Sequence, residues 1–297
     1  MKYKFVAIPE ILQEHVEAII TTKHDGETNL AVNVCLNALP GIVFQHNNGR
    51  SPIDNMTTSS GCRADPPTLF VYGQMTERST MSYKKEPFTA TTIFLKPHAL
   101  QTLLGVNASA LTNNLVELRE FSAGDLNMQL LEARNEQVRL TLLTNFLASK
   151  LRQATTHDRL IEESLRIIHN NVGRVTVKYL LECLNISERQ FEKRFSQTIG
   201  LSPQFYIRVK RFTEAIRLMQ TGHYERLTDV AHALNFYDQS HFVKDIKAFS
   251  GITPTSLFQK VDEFQSDHKI YESYEHDGFL QACKRRLFYT CCRVTIR

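Results

Sequence analysis

Glycine is scarce, at 12 of 297 residues, and none of the 12 falls in a glycine-rich loop that could cradle a phosphate. No Gly-x-Ser-x-Gly nucleophile elbow is present either. The six cysteines, at positions 35, 62, 183, 283, 291 and 292, form no CxxC pair and no regular framework, which suits a reducing compartment. Cys183 is expected on the buried face of a helix. No run of 18 apolar residues occurs, and no apolar segment of the signal-peptide kind follows the charged start, so a cytoplasmic protein with no membrane partner is expected. His24, His46 and His98 stand apart from one another, without the closely spaced His, Glu and His of a metal-binding cupin; neither a metal nor another cofactor is expected.

Hydrophobic residues make up 42% of the chain and charged ones 22%, the balance of a globular protein long enough for two domains with their own cores. The net charge is +4. Residues 157–262 carry 15 Lys and Arg against 12 Asp and Glu, whereas residues 1–156 carry 14 of each. The positive excess therefore lies in the C-terminal part, the direction expected of a DNA partner.

That part contains a repeat. Gly200-Leu201-Ser202-Pro203 returns 51 residues later as Gly251-Ile252-Thr253-Pro254. Before the first phrase stand Leu180, Cys183, Leu184, Asn185, Phe191 and Phe195; before the second stand Val230, Ala233, Leu234, Asn235, Phe242 and Ile246, with one residue inserted after Asn235. A fixed internal period means one supersecondary unit used twice. The unit reads as helix, turn, helix. Val177, Leu180, Leu181 and Leu184 mark one helical face. Asn185 tolerates the left-handed conformation of a tight turn, and Ser187 is an N-cap for a second helix that ends at Gly200. Ser202 and Thr253 are then N-caps placed before a proline at the first helical position. Between the copies, Pro203 to Thr221 predicts a helix with Phe205, Val209, Phe212, Ile216 and Met219 inward and Gly222 past its end. Its roughly 18 residues span roughly 27 Å at about 1.5 Å each.

The second helix of such a pair can lie in a DNA major groove. With the small domains at each end of the connecting helix, two recognition helices, about 187–198 and 239–250, could sit about one DNA turn, near 34 Å, apart. Outward on the first are Ser187, Glu188, Arg189, Gln190, Lys193 and Arg194; on the second, Gln239, Ser240, His241, Lys244 and Lys247. Arg189, Gln190, Gln239 and His241 are candidates for base reading, and Lys193, Arg194, Arg208, Arg211 and Lys244 for phosphate contact. The caps at Ser202 and Thr253 also present backbone N–H groups that suit a phosphate.

The region from about Asp158 to Lys260 resembles the DNA-binding domain of AraC/XylS-type transcription regulators. The resemblance is carried by the doubled Gly-x-Ser/Thr-Pro closure and by Asn235-Phe236-Tyr237-Asp238-Gln239-Ser240-His241-Phe242, and covers about a third of the chain. It implies seven helices and binding to double-stranded promoter DNA. In the family the second copy often serves RNA polymerase contact or backbone anchoring as well as base reading. One departure stands out: Leu181 occupies the place of the small Ala231, so the first unit packs more loosely there or turns Leu181 toward another helix. Some such domains are joined to DNA alkyl-transfer modules, but Cys35 and Cys62 have no Cys or His neighbours, and no enzyme is expected. A helical protein-interaction module that has lost DNA reading is the alternative function; the cationic outer positions argue against it.

Upstream, residues 9–20 put Ile11, Leu12, Val16, Ile19 and Ile20 at helical spacing and predict a first amphipathic helix. Strands are expected over Leu30–Leu39, Ile42–Gln45, Leu69–Tyr72 and Thr91–Leu95, with Pro40-Gly41 and His46-Asn47-Asn48-Gly49 as hairpin connections and Lys96-Pro97 ending the last. Helices are expected next over Ala99–Leu104, stopped by Gly105, then over Leu126–Leu131 and Val138–Leu151. The apolar width of the last, with Val138, Leu142, Leu143, Phe146, Leu147 and Leu151, suits core packing and also a homodimer. Through Leu39-Pro40-Gly41-Ile42-Val43-Phe44 and Phe94-Leu95-Lys96-Pro97, residues 1–150 resemble the N-terminal sensor-like domain of some AraC-type regulators, which implies a small barrel followed by helices, used for a small-molecule effector or for dimerisation. The expected architecture is thus α+β: a mainly β domain with flanking helices over 1–152, a polar break over Gln153–His157, an all-α domain over 158–260, and an extension over 263–297 without assigned role.

Overall fold

The computed structural model describes residues 1–155, 157–220, 224, 226–236 and 239–257, and the backbone of 293–296. The N-terminal half is built on two antiparallel sheets. The first holds β1 (Lys2–Val6), β2 (Val16–His24), β9 (Phe88–Leu95), β4 (Gly41–His46), β7 (Leu69–Tyr72) and β10 (Leu115–Glu117), side by side in that order. The second runs β11 (Arg293–Ile296), β3 (Leu30–Val34), β8 (Ser79–Tyr83), β5 (Ile53–Thr58) and β6 (Gly61–Ala64). Helices α1 (Ala99–Leu104), α2 (Leu126–Glu132) and α3 (Glu136–Gln153) cover one face of the larger sheet. There Ile19, Ile42, Phe44, Val71 and Ile93 share a core with Leu100, Leu103, Leu130, Leu140, Leu143 and Leu147. Gly105 closes α1 with φ +67°, as its position after Leu104 predicts.

The expected helix over residues 9–20 is not formed. A single 3-10 turn, Glu10–Leu12, precedes strand β2, which pairs with β1 on one side and β9 on the other. Seven of its nine residues are buried, so both faces read as apolar and the strand's period of two is hidden. Val16, Ile19, Ile20, Thr21 and Thr22 are β-branched, which favours the extended form once partners exist on both sides. Strand β3 stops at Val34, short of Leu39, and Pro40-Gly41 joins strands of different sheets rather than a hairpin. At Asn48 (φ +46°) and Gly49 (φ +80°) a two-residue turn does form, closed by reciprocal Asn47–Arg50 backbone bonds of 2.9 Å, but β4 and β5 then diverge into separate sheets. Lys96-Pro97 is followed by a further strand of the same sheet, β10. Of the extension, residues 293–296 pair with β3; Lys284-Arg285-Arg286 and Cys291-Cys292 lie outside the described residues.

The C-terminal half is helical: α4 (Arg159–Asn170), α5 (Val177–Leu184), α6 (Glu188–Ile199), α7 (Pro203–Gln220), α8 (Leu227–Ala233) and α9 (Gln239–Ser250), with a further helical turn over 254–257. Helix α7 is its axis: Val209, Phe212, Ala215, Ile216 and Met219 are almost wholly buried, and Tyr206 and Ile207 nearly so. Thr221 and Gly222, the expected end of this helix, lie outside the described residues. The core of this half does not stay within it, because Cys35, Leu36 and Ala38 from the β domain belong to the same apolar cluster as Phe191, Phe195, Phe242 and Phe249.

Candidate nucleic-acid interface

The two halves of the repeat share their inter-helix turn and their closing glycine, although only the first has a side-chain cap on its leading helix. In the first, Thr176 caps α5 by accepting the Tyr179 N–H at 3.1 Å. Asn185 then turns the chain at φ +47°, and the Ile186 N–H closes the turn on the Leu181 carbonyl at 3.3 Å. In the second, Asn235 turns at φ +54° and the Phe236 N–H closes on the Ala231 carbonyl at 3.1 Å. Both second helices end in a left-handed glycine, Gly200 at +88° and Gly251 at +80°. Ser202 and Thr253 cap the helical turns that begin at the two prolines, accepting the Phe205 and Ser256 N–H groups at 3.3 Å each. Leu181 stays partly buried against the shared core, whereas Ala231 is buried.

These devices fix which side chains face out. On α6, Phe191, Phe195, Thr198 and Ile199 are buried, while Glu188, Arg189, Gln190, Lys193 and Arg194 are exposed. On α9, Phe242, Asp245, Ile246 and Phe249 are buried, while Gln239, Ser240, His241, Lys244 and Lys247 are exposed. Ser187 occupies the N-cap position of α6, yet its hydroxyl is 2.9 Å from the Gln190 side-chain oxygen rather than on a backbone N–H. Gln190 is thereby drawn back toward the start of the helix. The His241 ring lies 5.9 Å from that of Phe236. Tyr237 and Asp238 lie outside the described residues. Cys183, expected on a buried face, is instead exposed on α5 beside an exposed Tyr179, because of this helix only Leu180 is fully buried.

Three of the arginines expected at phosphates are engaged inside the domain. Arg194 forms a two-pronged bond to Asp158 at 2.6 and 3.0 Å, and Asp158 also caps α4 through the Ile161 N–H at 3.2 Å. Arg208 of α7 reaches Asp245 of α9 at 2.7 Å and lies over the rings of Phe205 and Phe249, 5.9 and 5.4 Å from their centres. One turn on, Arg211 donates to the carbonyls of Val172 and Val175 at 3.2 and 2.9 Å, ahead of α5. Burial lowers its pKa, and Asp245 opposes that shift. The two arginines thus lock α7 to one helix-turn-helix unit each. Sequence reasoning missed Asp158 and Asp245 as partners. For Asp245 a signal existed: it interrupts the apolar stripe Phe242, Ile246, Phe249, and a carboxylate there needs a cation.

Residues 180–260 match the model of a helix-turn-helix domain family, and residues 6–117 match a domain of unknown function, DUF6597. The chain is 28% identical over 114 residues to the HTH-type transcriptional activator AarP of Providencia stuartii, which covers 38% of this chain and 83% of that protein. Residues 180–260 thus carry a helix-turn-helix domain of the kind that family model describes. Among solved structures, this chain is similar to ToxT from Vibrio cholerae, at 13% identity and a TM-score of 0.46 over 81% of this chain and 97% of that one. The AraC-like transcriptional activator CuxR is similar at 12% identity and a TM-score of 0.20, over 66% and 73%.

Proposed function

We propose that this regulator binds double-stranded promoter DNA with α6 and α9 in successive major grooves. The observation that supports the reading is the pairing of two equivalent, outward-facing helices whose N-terminal halves carry hydrogen-bonding and cationic side chains. Arg189 and Gln190 on α6 and Gln239, Ser240 and His241 on α9 are assigned to base edges, since Arg matches guanine and Gln matches adenine bidentately. Lys193 and Lys244 are assigned to phosphates, together with the backbone ends at Ser187, Ser202 and Thr253. Glu188, at the start of α6, suits a cytosine amino group. Arg194, Arg208 and Arg211 shape the frame through the contacts above, and Arg194 alone of the three is exposed enough to exchange Asp158 for a phosphate. RNA polymerase is a second partner of this reading, through the exposed face of α9.

Two features favour regulation through the N-terminal domain. In β2, Ile20, Thr22 and His24 alternate away from Ile19, which faces the helices, and the Thr22 hydroxyl is buried with no hydrogen-bond partner among the described residues. A small-molecule effector with a hydrogen-bonding group suits that face. On α3, Val138, Leu142 and Phe146 recur every fourth residue and stay half-buried, a stripe that suits a homodimer. A monomeric mass in solution at micromolar concentration removes the dimer. Selection from a random duplex library tests the DNA reading: enrichment of two short motifs about one turn apart supports it, and recovery of no motif leaves the helical interaction module as the better reading.

A further inference from the structure

Helix ends leave carbonyls without intrahelical partners. At both proposed recognition helices one donor to the C-terminal end comes from the β domain. The Thr112 hydroxyl donates to the Gly200 carbonyl at the end of α6, at 2.6 Å. The Leu36 N–H donates to the Phe249 carbonyl at the end of α9, at 3.3 Å. The approach is close at each end. A methyl group on Gly200 would lie 3.0 Å from the Ala108 carbonyl oxygen and 3.1 Å from the Thr112 hydroxyl. One on Gly251 would overlap the guanidinium of Arg78, a cation set at the negative end of α9.

Thr112, Leu36 and Arg78 come from three loops that are bonded to one another. The Gln74 carbonyl accepts the Asn113 N–H at 2.8 Å, and the Gln74 side chain donates to the Ala38 carbonyl at 3.2 Å. Asn113 in turn accepts the Thr76 N–H at 2.7 Å and donates to the Thr76 hydroxyl at 2.6 Å. Gln74, at 0% exposure, is the buried link between the arm that holds α6 and the arm that holds α9. Both arms grip C-terminal ends, so the N-terminal halves of α6 and α9 stay open.

We propose that this three-loop platform sets the spacing and orientation of the two recognition helices, which makes Thr112, Gln74 and Arg78 positioning residues for DNA recognition although they lie outside the helix-turn-helix domain. The inference rests on the two-groove reading above. One inserted base pair moves a half-site by about 3.4 Å and about a tenth of a turn, so a rigid platform translates into intolerance of altered half-site spacing.

The test uses the full chain and the duplex recovered by random selection, copies of it with one base pair added or removed between half-sites, and a copy with one half-site scrambled. The wild-type protein is expected to prefer the selected spacing by about tenfold. Thr112→Val and Gln74→Leu are expected to bring that preference to about threefold or less while affinity for the single half-site stays within about twofold. Thr112→Ser, which keeps the donor, retains the wild-type preference. Arg78→Ala removes an exposed side chain and leaves the core untouched, so it reads the α9 arm free of folding damage. Unchanged spacing preference in Thr112→Val, Gln74→Leu and Arg78→Ala overturns the platform. A wild-type protein that selects no duplex overturns the two-groove reading instead, and the two failures are distinct.

Discussion

Arg189 and Lys244 both lie on exposed helix faces, but the chemistry assigned to them separates in a binding experiment. Arg189→Ala is expected to lower affinity for the selected site by roughly 1–3 kcal/mol and to leave binding to random DNA nearly unchanged; an equal loss on both sinks its base-reading role. Lys244→Ala is expected to weaken both and to lower the slope of log affinity against log salt by about one, and an unchanged slope rules out a phosphate contact. Arg208 belongs to a different class. Its side chain is 37% exposed while that of its partner Asp245 is 2% exposed, so removal of the arginine leaves a buried carboxylate without its hydrogen-bonded cation. Arg208→Ala is expected to lower unfolding free energy by roughly 1.5–3 kcal/mol, discounted from the cost of a fully buried pair by the arginine's exposure. Urea titration of this variant, beside Arg189→Ala as a stability-neutral control, checks it.

At the scale of elements, the helix-turn-helix units were legible in the sequence because their signals are local. Asn185, Asn235, Gly200 and Gly251 are named by the left-handed backbone they adopt, and Ser202 and Thr253 by the caps they make. Asn185→Val puts a β-branched residue at φ +47° and is expected to cost roughly 1–2 kcal/mol, whereas Asn185→Gly is expected to be tolerated. Thermal unfolding of the pair of variants separates backbone strain from loss of the amide. The β domain was legible only where a strand is apolar: Leu69–Tyr72 has the boundaries its sequence predicts. Ile53–Thr58 and Ser79–Tyr83 are rich in hydroxyl and amide side chains and offer no apolar alternation, so their pairing depends on neighbours distant in sequence. Strand β2 is ambiguous in sequence for the opposite reason, an apolar excess that fits any period. The stripe around Asp245 signals that it needs a cation, but which arginine answers it, and that Asp158 answers Arg194, is not local information, because the partners stand 37 and 36 residues apart.

For the molecule as a whole, the junction between the domains collects histidines that appear isolated in sequence. The rings of His15 and His98 are 5.4 Å apart, and His157, in the break before α4, is 2.8 Å from a Glu162 oxygen. Burial, with the charges of His15, Lys96 and His157 adding to it, holds His98 down to about 4, and burial also lowers His15 and His46. A histidine whose pKa is lower folded than unfolded stabilises the fold above about pH 6.5, and that contribution is lost as pH falls toward 4. The loss at His98 is on the order of 3 kcal/mol by pH 4. Unfolding free energy is therefore expected to fall between pH 7 and pH 4, and His98→Gln to flatten that slope. An equal slope in the variant contradicts the assignment.

The central claim is that one chain reads two successive major grooves, and chemical footprinting of major-groove guanines on the selected duplex tests it most directly. The account predicts two protected patches on one face of the DNA, about 10–10.5 base pairs apart, with the patch under α6 lost in Arg189→Ala and the other retained. A single patch, or two that fade together in that variant, contradicts it.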